Sequence, residues 1–316
     1  MPLKEIADVR FGIKTGANEF FYLTEEEIKE IGIEKEFWMH KEEKGEWVPN
    51  YVIKSPMECE SIIVKPNELK YRVLMVQKDK SKLRGTKLIR YLNKGEQRGF
   101  HKRPTCQSRT PWYDLGNQPP ADGLWFKAFN ERVLAPLNTY KVFSSDRFYA
   151  IYLHNKTFRN DLFLYLNSTL AALIVEIFGR VNLGEGALDN MTYEAASMLV
   201  IDVRQYQIGD DNSFKNFLER PISSIFNELG ANHPDEVSLD KVKPDRRALD
   251  KIIMGDILGL TEDEQLEVYR AVVDLVRSRI EKAKSFGKKG KTKEGDRKST
   301  RLNSSHIQKS RMPSSA

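Results

Sequence analysis

Short β-rich runs separated by turn residues place the strongest constraint on what this chain can fold into. The runs are SIIVK (61–65), YRVLMV (71–76), GLWFKAF (123–129), RVLAPLN (132–138) and RFYAIYL (147–153). Runs that follow one another about every ten residues are typical of a sheet built from meanders, whereas a doubly wound fold alternates strands with helices. The sequence therefore predicts an α+β protein with a mixed or antiparallel sheet.

Helical periodicity dominates after the last of these runs. Between Asn160 and Phe178 the apolar residues fall on nearly every face of a helix, which predicts a buried helix capped by Gly179. Two amphipathic stretches, 246–259 and 261–284, are joined by a Gly-Leu-Thr turn and predict a C-terminal helical hairpin. We expect one domain over residues 1–207 and a helical region over 208–284.

The positive charge of the chain is concentrated near its end. The net charge is +6, yet residues 284–316 hold ten Lys or Arg against two acids, so the rest is close to neutral. Residues 285–316 are Lys-, Gly- and Ser-rich, which predicts a disordered basic tail. The last stretch, roughly eighteen residues, resembles translated vector sequence and is expected not to be native.

Charge is also sorted along the body of the chain. Residues 1–60 carry eight bases and fourteen acids, whereas Lys65–Tyr113 carries fourteen bases and three acids. Clustered Lys and Arg are the electrostatic footprint of a protein that binds a phosphate backbone. A solvated charged face is the alternative interpretation.

Signatures of catalysis or of a membrane protein are missing from the sequence. There is no GxxxxGK[ST] loop, and neither the five histidines nor the two cysteines have metal-binding spacing. The turn NQPPADG (117–123) has Gln118 and Ala121 where a base-holding loop needs an amino-group acceptor and an aromatic ring. We predict no catalytic residue and no metal site. Without a leader or an apolar run of about 18 residues, we expect a cytoplasmic protein with no membrane partner.

The basic segment carries the clearest family likeness. In the segment RGFHKRPTCQSRTPWYDLG (98–116), basic residues alternate with aromatic residues. Basic side chains can bind phosphate or the edge of guanine, and aromatic rings can stack on an unstacked nucleobase. Its CQSRTPWYDL part resembles the Arg-x-x-Trp-Tyr segment in the target-recognition region of adenine-specific DNA methyltransferases from restriction-modification systems. The stretches GIKTGANEFFYL (12–23), YLNSTLAALIVEIFGR (165–180) and NLGEGAL (182–188) resemble the same family in the same order.

The resemblance covers roughly residues 3–205 and implies that residues 1–207 are a DNA target-recognition domain. In that family this region follows a catalytic domain that binds S-adenosylmethionine, and we expect that half to be supplied upstream or in trans. The implied partners are double-stranded DNA and the methyltransferase catalytic domain. By itself the chain is expected to hold no cofactor and not to methylate.

The candidate site residues form two groups. Those expected to contact DNA are Lys14, Thr15, Asn18, Lys102, Arg103, Arg109, Trp112, Tyr113, Arg180 and Asn182. Those expected to set the backbone conformation are Gly12, Gly16, Gly184 and Gly186. An ion pair with Glu185 is the structural alternative for Arg180, and a plain turn with solvated tips is the alternative for residues 12–18.

Three other functions remain open at this point. A type I restriction specificity subunit would need two recognition domains and long helices, and the chain has room for one such domain. A metal-dependent nuclease is suggested only by Glu-x-Lys triplets such as Glu27-Ile28-Lys29, which are frequent by chance in this composition. A pure interaction protein would use the helical hairpin and would not bind DNA.

Overall fold

The computed structural model describes residues 1–42, 45–181, 186–209 and 212–307, with side chains described up to residue 285. Most of the strands are short, and they are distributed over the first two thirds of the chain. They are β1 Ala7–Phe11, β2 Tyr22–Thr24, β3 Met39–Lys41, β4 Trp47–Pro49, β5 Tyr51–Ile53, β6 Tyr71–Val73, β7 Gly123–Phe126, β8 Ala128–Phe129, β9 Phe143–Ser144, β10 Phe148–Leu153, β11 Arg180–Val181 and β12 Leu188–Asp189.

Helices alternate with the early strands and dominate the later part of the chain. They are α1 Asn18–Phe21, α2 Glu25–Ile31, α3 Lys87–Gln97, α4 Pro104–Gln107, α5 Arg159–Leu166, α6 Thr169–Phe178, α7 Thr192–Ser197, α8 Lys215–Glu219, α9 Ile225–Leu229, α10 Pro244–Asp250 and α11 Glu262–Ile307. Short 3-10 turns connect several of them, and α10 continues into a π-helical turn, Lys251–Ile257. The predicted α+β class with mixed and antiparallel sheets is confirmed.

The central sheet joins distant parts of the sequence. β10 is its middle strand, and it pairs antiparallel with β1 on one side and β7 on the other. Gly123 at the start of β7 lies directly against the ring of Phe163, where a Cβ atom would meet ring carbon at 1.9 Å. Helices α5, α6, α10 and α11 pack on this sheet and share one large hydrophobic core with it. We call this part the main lobe.

Residues 12–116 lie between β1 and β7, and together with β9 we call them the inserted lobe. Most of them build a second core that Phe143 of β9 completes, whereas Ile53, Ile62 and Val64 belong to the core of the main lobe. Its four-stranded sheet has the order β2-β6-β5-β9, in which β5 and β9 are parallel and the other pairs antiparallel. Helix α3 packs on the aromatic side of this core, and the missing side chain of Gly95 makes room for the ring of Phe20. The described segments that carry the family motifs all lie in these two lobes.

The predicted single buried helix over 160–178 is two helices, α5 and α6, bent by 74° with respect to each other. The break occurs at Asn167, whose side-chain amide bonds the backbone N–H and carbonyl of Ala135 at 2.9 and 2.8 Å. Ser168 then caps α6 by accepting from the N–H of Ala171. Because Asn and Ser side chains compete with the helical backbone for hydrogen bonds, they favour a break at this point.

Two of the predicted strands are absent at the expected positions. Residues 61–65 and 132–138 contribute only bridges, with Ile63 pairing Leu137, and residues 198–203 contribute a single bridge from Leu199 to Pro2. Pro66 and Pro136 lie next to these bridges and cannot donate a backbone hydrogen bond. These segments therefore cross the core in extended form without extending a sheet.

The predicted C-terminal hairpin is present. Gly259, with φ of +72°, ends the helical turn, and Thr261 with Glu264 forms a reciprocal cap at the start of α11. Buried residues of α10 and α11 belong to the same core as the central sheet. The sequence predicts a disordered tail from residue 285, whereas α11 continues to Ile307. Residues 308–316 lie outside the described range. The domain boundaries stay predictions.

Among the described residues, no single helix is long and apolar enough to cross a bilayer. The bent pair Lys156–Leu166 and Thr169–Phe178 meets the length and composition requirements only when it is joined, and buried core helices meet them too.

Candidate nucleic-acid interface

The turn after β1 carries the first motif and is shaped by two glycines. At Gly12 a Cβ atom would meet the Ser145 carbonyl oxygen at 2.1 Å, so only glycine allows the chain to pass there. Gly16 has φ of +71°, and a Cβ there would meet the Thr105 side chain at 2.7 Å. At both positions the space that a side chain would occupy is filled by other atoms of the protein.

Arg109 holds this turn from the other side. Its guanidinium donates to the Thr15 carbonyl at 2.5 Å and to the Lys14 carbonyl at 3.5 Å. It also contacts the sulfur of Cys106 at 3.4 Å and lies 5.6 Å from the ring centre of Phe21. The side chain that the sequence assigned to DNA is thus engaged in fixing the backbone of the first motif.

Arg103 makes a second link between the same two segments. It donates to the Glu19 carboxylate at 2.6 Å and to the Gly16 carbonyl at 3.4 Å, and it lies over the ring of Phe100. The hydrogen bonds from Arg103 lower the pKa of Glu19 and raise the pKa of Arg103 itself. The segments 12–23 and 98–116, which carry two of the family motifs, therefore form one contiguous site.

Trp112 and Tyr113 are parts of the second core. Trp112 is 9% exposed and donates from its indole N–H to Glu96 at 2.9 Å, and Tyr113 is 1% exposed and donates to the Lys78 carbonyl at 3.1 Å. Phe20 and Phe21 surround the indole. In this structure neither ring presents a face to a base, and their packing supports the turn held by Arg109.

The side chains that the site exposes are different ones. Lys14, Asn18 and Lys102 point into solvent, whereas Thr15 is buried and its hydroxyl bonds the Asn18 side chain. The ammonium of Lys14 lies 3.7 Å from the ring centre of Phe11, which is itself 39% exposed. These groups remain available for contact with a nucleic acid.

The third motif lies on the main lobe. Arg180, in β11, is half exposed and pairs with Glu194 at 2.9 Å. The alternative partner Glu185 lies outside the described residues, as do Asn182 and Gly184. Gly186 has φ of +70°, and a Cβ there would meet Ala283 of α11 at 2.7 Å, so its conformational role fits the structure.

Part of the basic segment is paired with the acidic segment that precedes it. Arg72 pairs with Glu25, Lys78 with Glu36 and Arg103 with Glu19, and within the basic segment Lys80 pairs with Glu96. The sorting of charge along the sequence therefore does not translate into a uniformly basic surface. What stays unpaired is a subset of the cations.

The largest subset of these cations lies on α3, which sequence reasoning did not single out. Lys87, Arg90, Lys94 and Arg98 are all exposed and recur at i, i+3, i+7 and i+11. At 100° per residue this spacing places all four within an arc of about 80° on one face of the helix. The same spacing could have been found in the sequence, because Leu88 and Leu92 mark the opposite, buried side.

Three features of the described residues concern metal binding, nucleophiles and the holding of a base. They include no group of three or more His, Cys, Asp or Glu positioned for a metal ion. Cys59 and Cys106 are both buried, and burial raises the pKa of Cys59 to about 12, so that its thiol is not a nucleophile at neutral pH. The 117–123 turn does not fit a base-holding loop, since Ala121 is buried and Gln118 donates to the Phe11 carbonyl.

Comparison with known proteins identifies the relatives of this chain. A curated relative, the type II methyltransferase M.AccI of Acinetobacter calcoaceticus, is 27% identical over 186 residues, which cover 56% of this chain and 32% of that protein. The crystal structure of the type IIG restriction endonuclease BpuSI is similar with a TM-score of 0.56 and 14% identity, over 90% of this chain and 31% of that one. The chain thus spans about a third of the length of both proteins.

The family match agrees with the resemblance of the motifs. Residues 1–221 match the family described as the C-terminal domain of the type II methyltransferase M.Eco57I. The matched range contains the inserted lobe, the central sheet and all four motif stretches, whereas α10 and α11 of the main lobe lie beyond it. The chain therefore belongs to the family of C-terminal domains of restriction-modification methyltransferases represented by M.Eco57I.

Proposed function

We propose that this chain is the sequence-specific DNA-binding part of an adenine-specific DNA methyltransferase of a restriction-modification system. The observation that carries the proposal is the contiguous site formed by residues 12–23 and 98–116, held together by Arg109 and Arg103. This site exposes Lys14, Asn18 and Lys102 as donors to phosphate or base edges. Family membership supplies the biological setting.

In this proposal the chain binds DNA and another domain performs the chemistry. The partner is a methyltransferase catalytic domain that binds S-adenosylmethionine, either upstream in a longer protein or in a separate chain. The proposed role of this chain is to position that domain on its target. Its place of action is the cytoplasm, where the DNA lies. Adenine as the modified base rests on the resemblance of the motifs alone.

The direct test is selection from a pool of random duplexes with the full chain, followed by sequencing of the bound DNA. An enriched motif, bound with an affinity that falls linearly in log salt, supports sequence-specific recognition. Salt-dependent binding without a motif would contradict recognition by this chain alone. Magnesium-dependent cleavage of the pool would instead favour a nuclease.

The choice of adenine is tested separately. The chain is co-expressed with a methyltransferase catalytic domain of the same family, and the modified bases of the host DNA are mapped. The proposal predicts N6-methyladenine within the motif enriched by selection. Methylated cytosine at that motif would contradict it.

A further inference from the structure

Four exposed cations form a ridge along α3, and we call Lys87, Arg90, Lys94 and Arg98 the α3 ridge. Across the described residues, no carboxylate forms an ion pair with any of the four. Glu96, the one acidic residue of the helix, is held away from the ridge by Lys80 at 2.6 Å and Trp112 at 2.9 Å. The ridge therefore carries four positive charges, none of which is held in an ion pair with a described carboxylate.

The helix that presents the ridge is fixed to the inserted lobe. Leu88 and Leu92 are fully buried on its other side, and Gly95 allows the helix to approach the ring of Phe20 closely. Thr86 caps the first turn by accepting from the Ile89 N–H at 3.2 Å. A partner would thus meet cations whose backbone positions are already set, which reduces the entropy lost on binding.

The backbone amides at the N-terminal end of α3 are not part of the binding surface. The Glu34 carboxylate accepts from the backbone N–H groups of Lys87 and Leu88 at 2.6 and 3.2 Å, so the amides that would attract an anion are occupied. Binding to this element has to use side chains. The side chains of the ridge all point to one side of the helix, as a backbone-tracking surface requires.

The length of the ridge fits the spacing of charge on a duplex. From Lys87 to Arg98 the helix rises about 16 Å, at 1.5 Å per residue. On its two strands together, a duplex carries a phosphate about every 1.7 Å of its axis, so a stretch as long as the ridge holds more phosphates than the ridge has cations. A duplex of that length can therefore offer a phosphate to each of the four cations.

The ridge is continuous with the proposed recognition site. Arg98 lies 4.9 Å and Arg103 lies 4.6 Å from the ring centre of Phe100, and Arg103 also bonds the Gly16 carbonyl. A chain of direct contacts therefore connects the end of α3 to the turn that exposes Lys14.

We infer that the α3 ridge binds the sugar-phosphate backbone of double-stranded DNA and reads no base. This inference rests on the proposed function and specifies which element of the chain supplies the electrostatic part of DNA binding. Backbone contacts set the position of a protein on a duplex and carry no sequence information. The ridge therefore contributes equally to affinity for every duplex.

The test compares two variants of the full chain that lose the same charge. In the ridge variant Lys87, Arg90, Lys94 and Arg98 are each changed to Gln, and in the control variant the exposed lysines of the main lobe, Lys4, Lys215, Lys251 and Lys282, are changed to Gln. Affinity for the selected duplex and for a scrambled duplex is measured between 50 and about 300 mM salt. Thermal unfolding of both variants verifies that the exposed substitutions leave the fold intact.

The ridge variant is expected to lose about 3 to 4 units from the slope of log affinity against log salt, since each lost phosphate contact removes about 0.9. The loss is expected to be equal on both duplexes, whereas the control variant keeps a slope close to that of the unchanged chain. An unchanged slope in the ridge variant would overturn the inference, and the ridge would then face another partner such as an acidic protein. A loss confined to the selected duplex would also overturn it, because that would be base reading.

The two proposals fail in different ways. If selection enriches a motif but the ridge variant binds like the unchanged chain, recognition stands and the ridge inference falls. If no motif is enriched but the ridge variant loses its salt slope, the ridge inference stands and recognition by this chain alone falls. A complete lack of salt-dependent binding by the unchanged chain would overturn both.

Discussion

The guanidinium of Arg109 donates to the backbone carbonyl of Thr15 at 2.5 Å, although the two residues lie 94 positions apart in the sequence. This bond joins the two motif segments that resemble the same region of restriction-modification methyltransferases. Arg109 is therefore a positioning residue, because a guanidinium that donates to backbone carbonyls has few N–H groups left to donate to a base. The contact determines which changes should affect folding and which should affect DNA binding.

Changing Arg109 to Ala is expected to lower the free energy of unfolding by about 1.5 to 3 kcal/mol, the range for a hydrogen bond to a charged group. DNA affinity should fall to a similar extent on all duplexes, because the turn with Lys14 loses its support. Chemical denaturation and hydrogen exchange at residues 14–18 measure these effects. Lys102→Ala is the control, since it removes an exposed cation of the same segment and should leave the unfolding free energy unchanged. A wild-type unfolding free energy in Arg109→Ala, with loss of sequence preference, would show that Arg109 reads a base.

Gly16→Ala should destabilise the protein by more than the strain of a positive φ alone. Its Cβ would meet Thr105 at 2.7 Å, whereas Gly85, with φ of +85°, has nothing within 4 Å. The matched variant Gly85→Ala carries only the backbone cost of about 1 kcal/mol. Equilibrium unfolding of the two variants separates the clash from the strain. Equal losses would mean that the turn can move away from α4 freely.

Glu228 should make folding sensitive to acid. Burial raises the pKa of its carboxyl group, but the hydrogen bonds and charges of Arg220, Arg246 and Lys243 outweigh burial and hold the pKa well below its usual range. As pH falls, the unfolded chain therefore takes up the proton first. The stabilisation by Glu228 is complete above the unfolded value, about pH 4.3, and is lost as pH falls toward the folded value.

Glu228→Gln tests this dependence by denaturation between pH 7 and 3. The variant should lose about 3 to 5 kcal/mol at pH 7, because the buried guanidinium of Arg246 loses its carboxylate, and its stability should change less on acidification. Glu262→Gln removes a carboxylate that is 72% exposed and should behave like the unchanged chain at both ends of the range. If Glu228→Gln lost as much stability on acidification as the unchanged chain does, the prediction would be contradicted.

Substitutions of Arg180 and of Glu194 are expected to change DNA affinity in opposite directions. If Arg180 contacts DNA, Arg180→Ala should weaken binding, whereas Glu194→Gln should strengthen it by about two- to fivefold, since an exposed ion pair is worth at most about 1 kcal/mol. Both affinities are measured by titration of a labelled duplex. Equal effects of the same sign, or no effect of Arg180→Ala, would assign Arg180 to the structural ion pair alone.

The sequence predicted the parts of the structure that depend on local patterns. The C-terminal hairpin followed from its capping residues Thr261 and Glu264, and the roles of Gly12 and Gly16 followed from the tightness of the turn. Side-chain partners depend on contacts between distant residues. For this reason the sequence assigned Trp112 and Tyr113 to DNA, although Glu96 and the Lys78 carbonyl hold them in a core.

Charge was the hardest property to predict from the order of residues. The acidic and basic segments looked like separate surfaces, but antiparallel pairing of β2 with β6 brings Glu25 next to Arg72 across the sheet. The cations of the α3 ridge are exposed, and none of them forms an ion pair with a described carboxylate. The spacing of the ridge was present in the sequence, and its isolation from carboxylates became visible only in the fold.

The central claim is that the chain distinguishes one DNA sequence from another. The most direct measurement is the Kd of the full chain for the duplex enriched by selection, compared at fixed salt with duplexes in which one base pair of the motif is changed. The account predicts that each change weakens binding by about 1 to 3 kcal/mol, or roughly 5- to 150-fold. The same Kd for every duplex would contradict it.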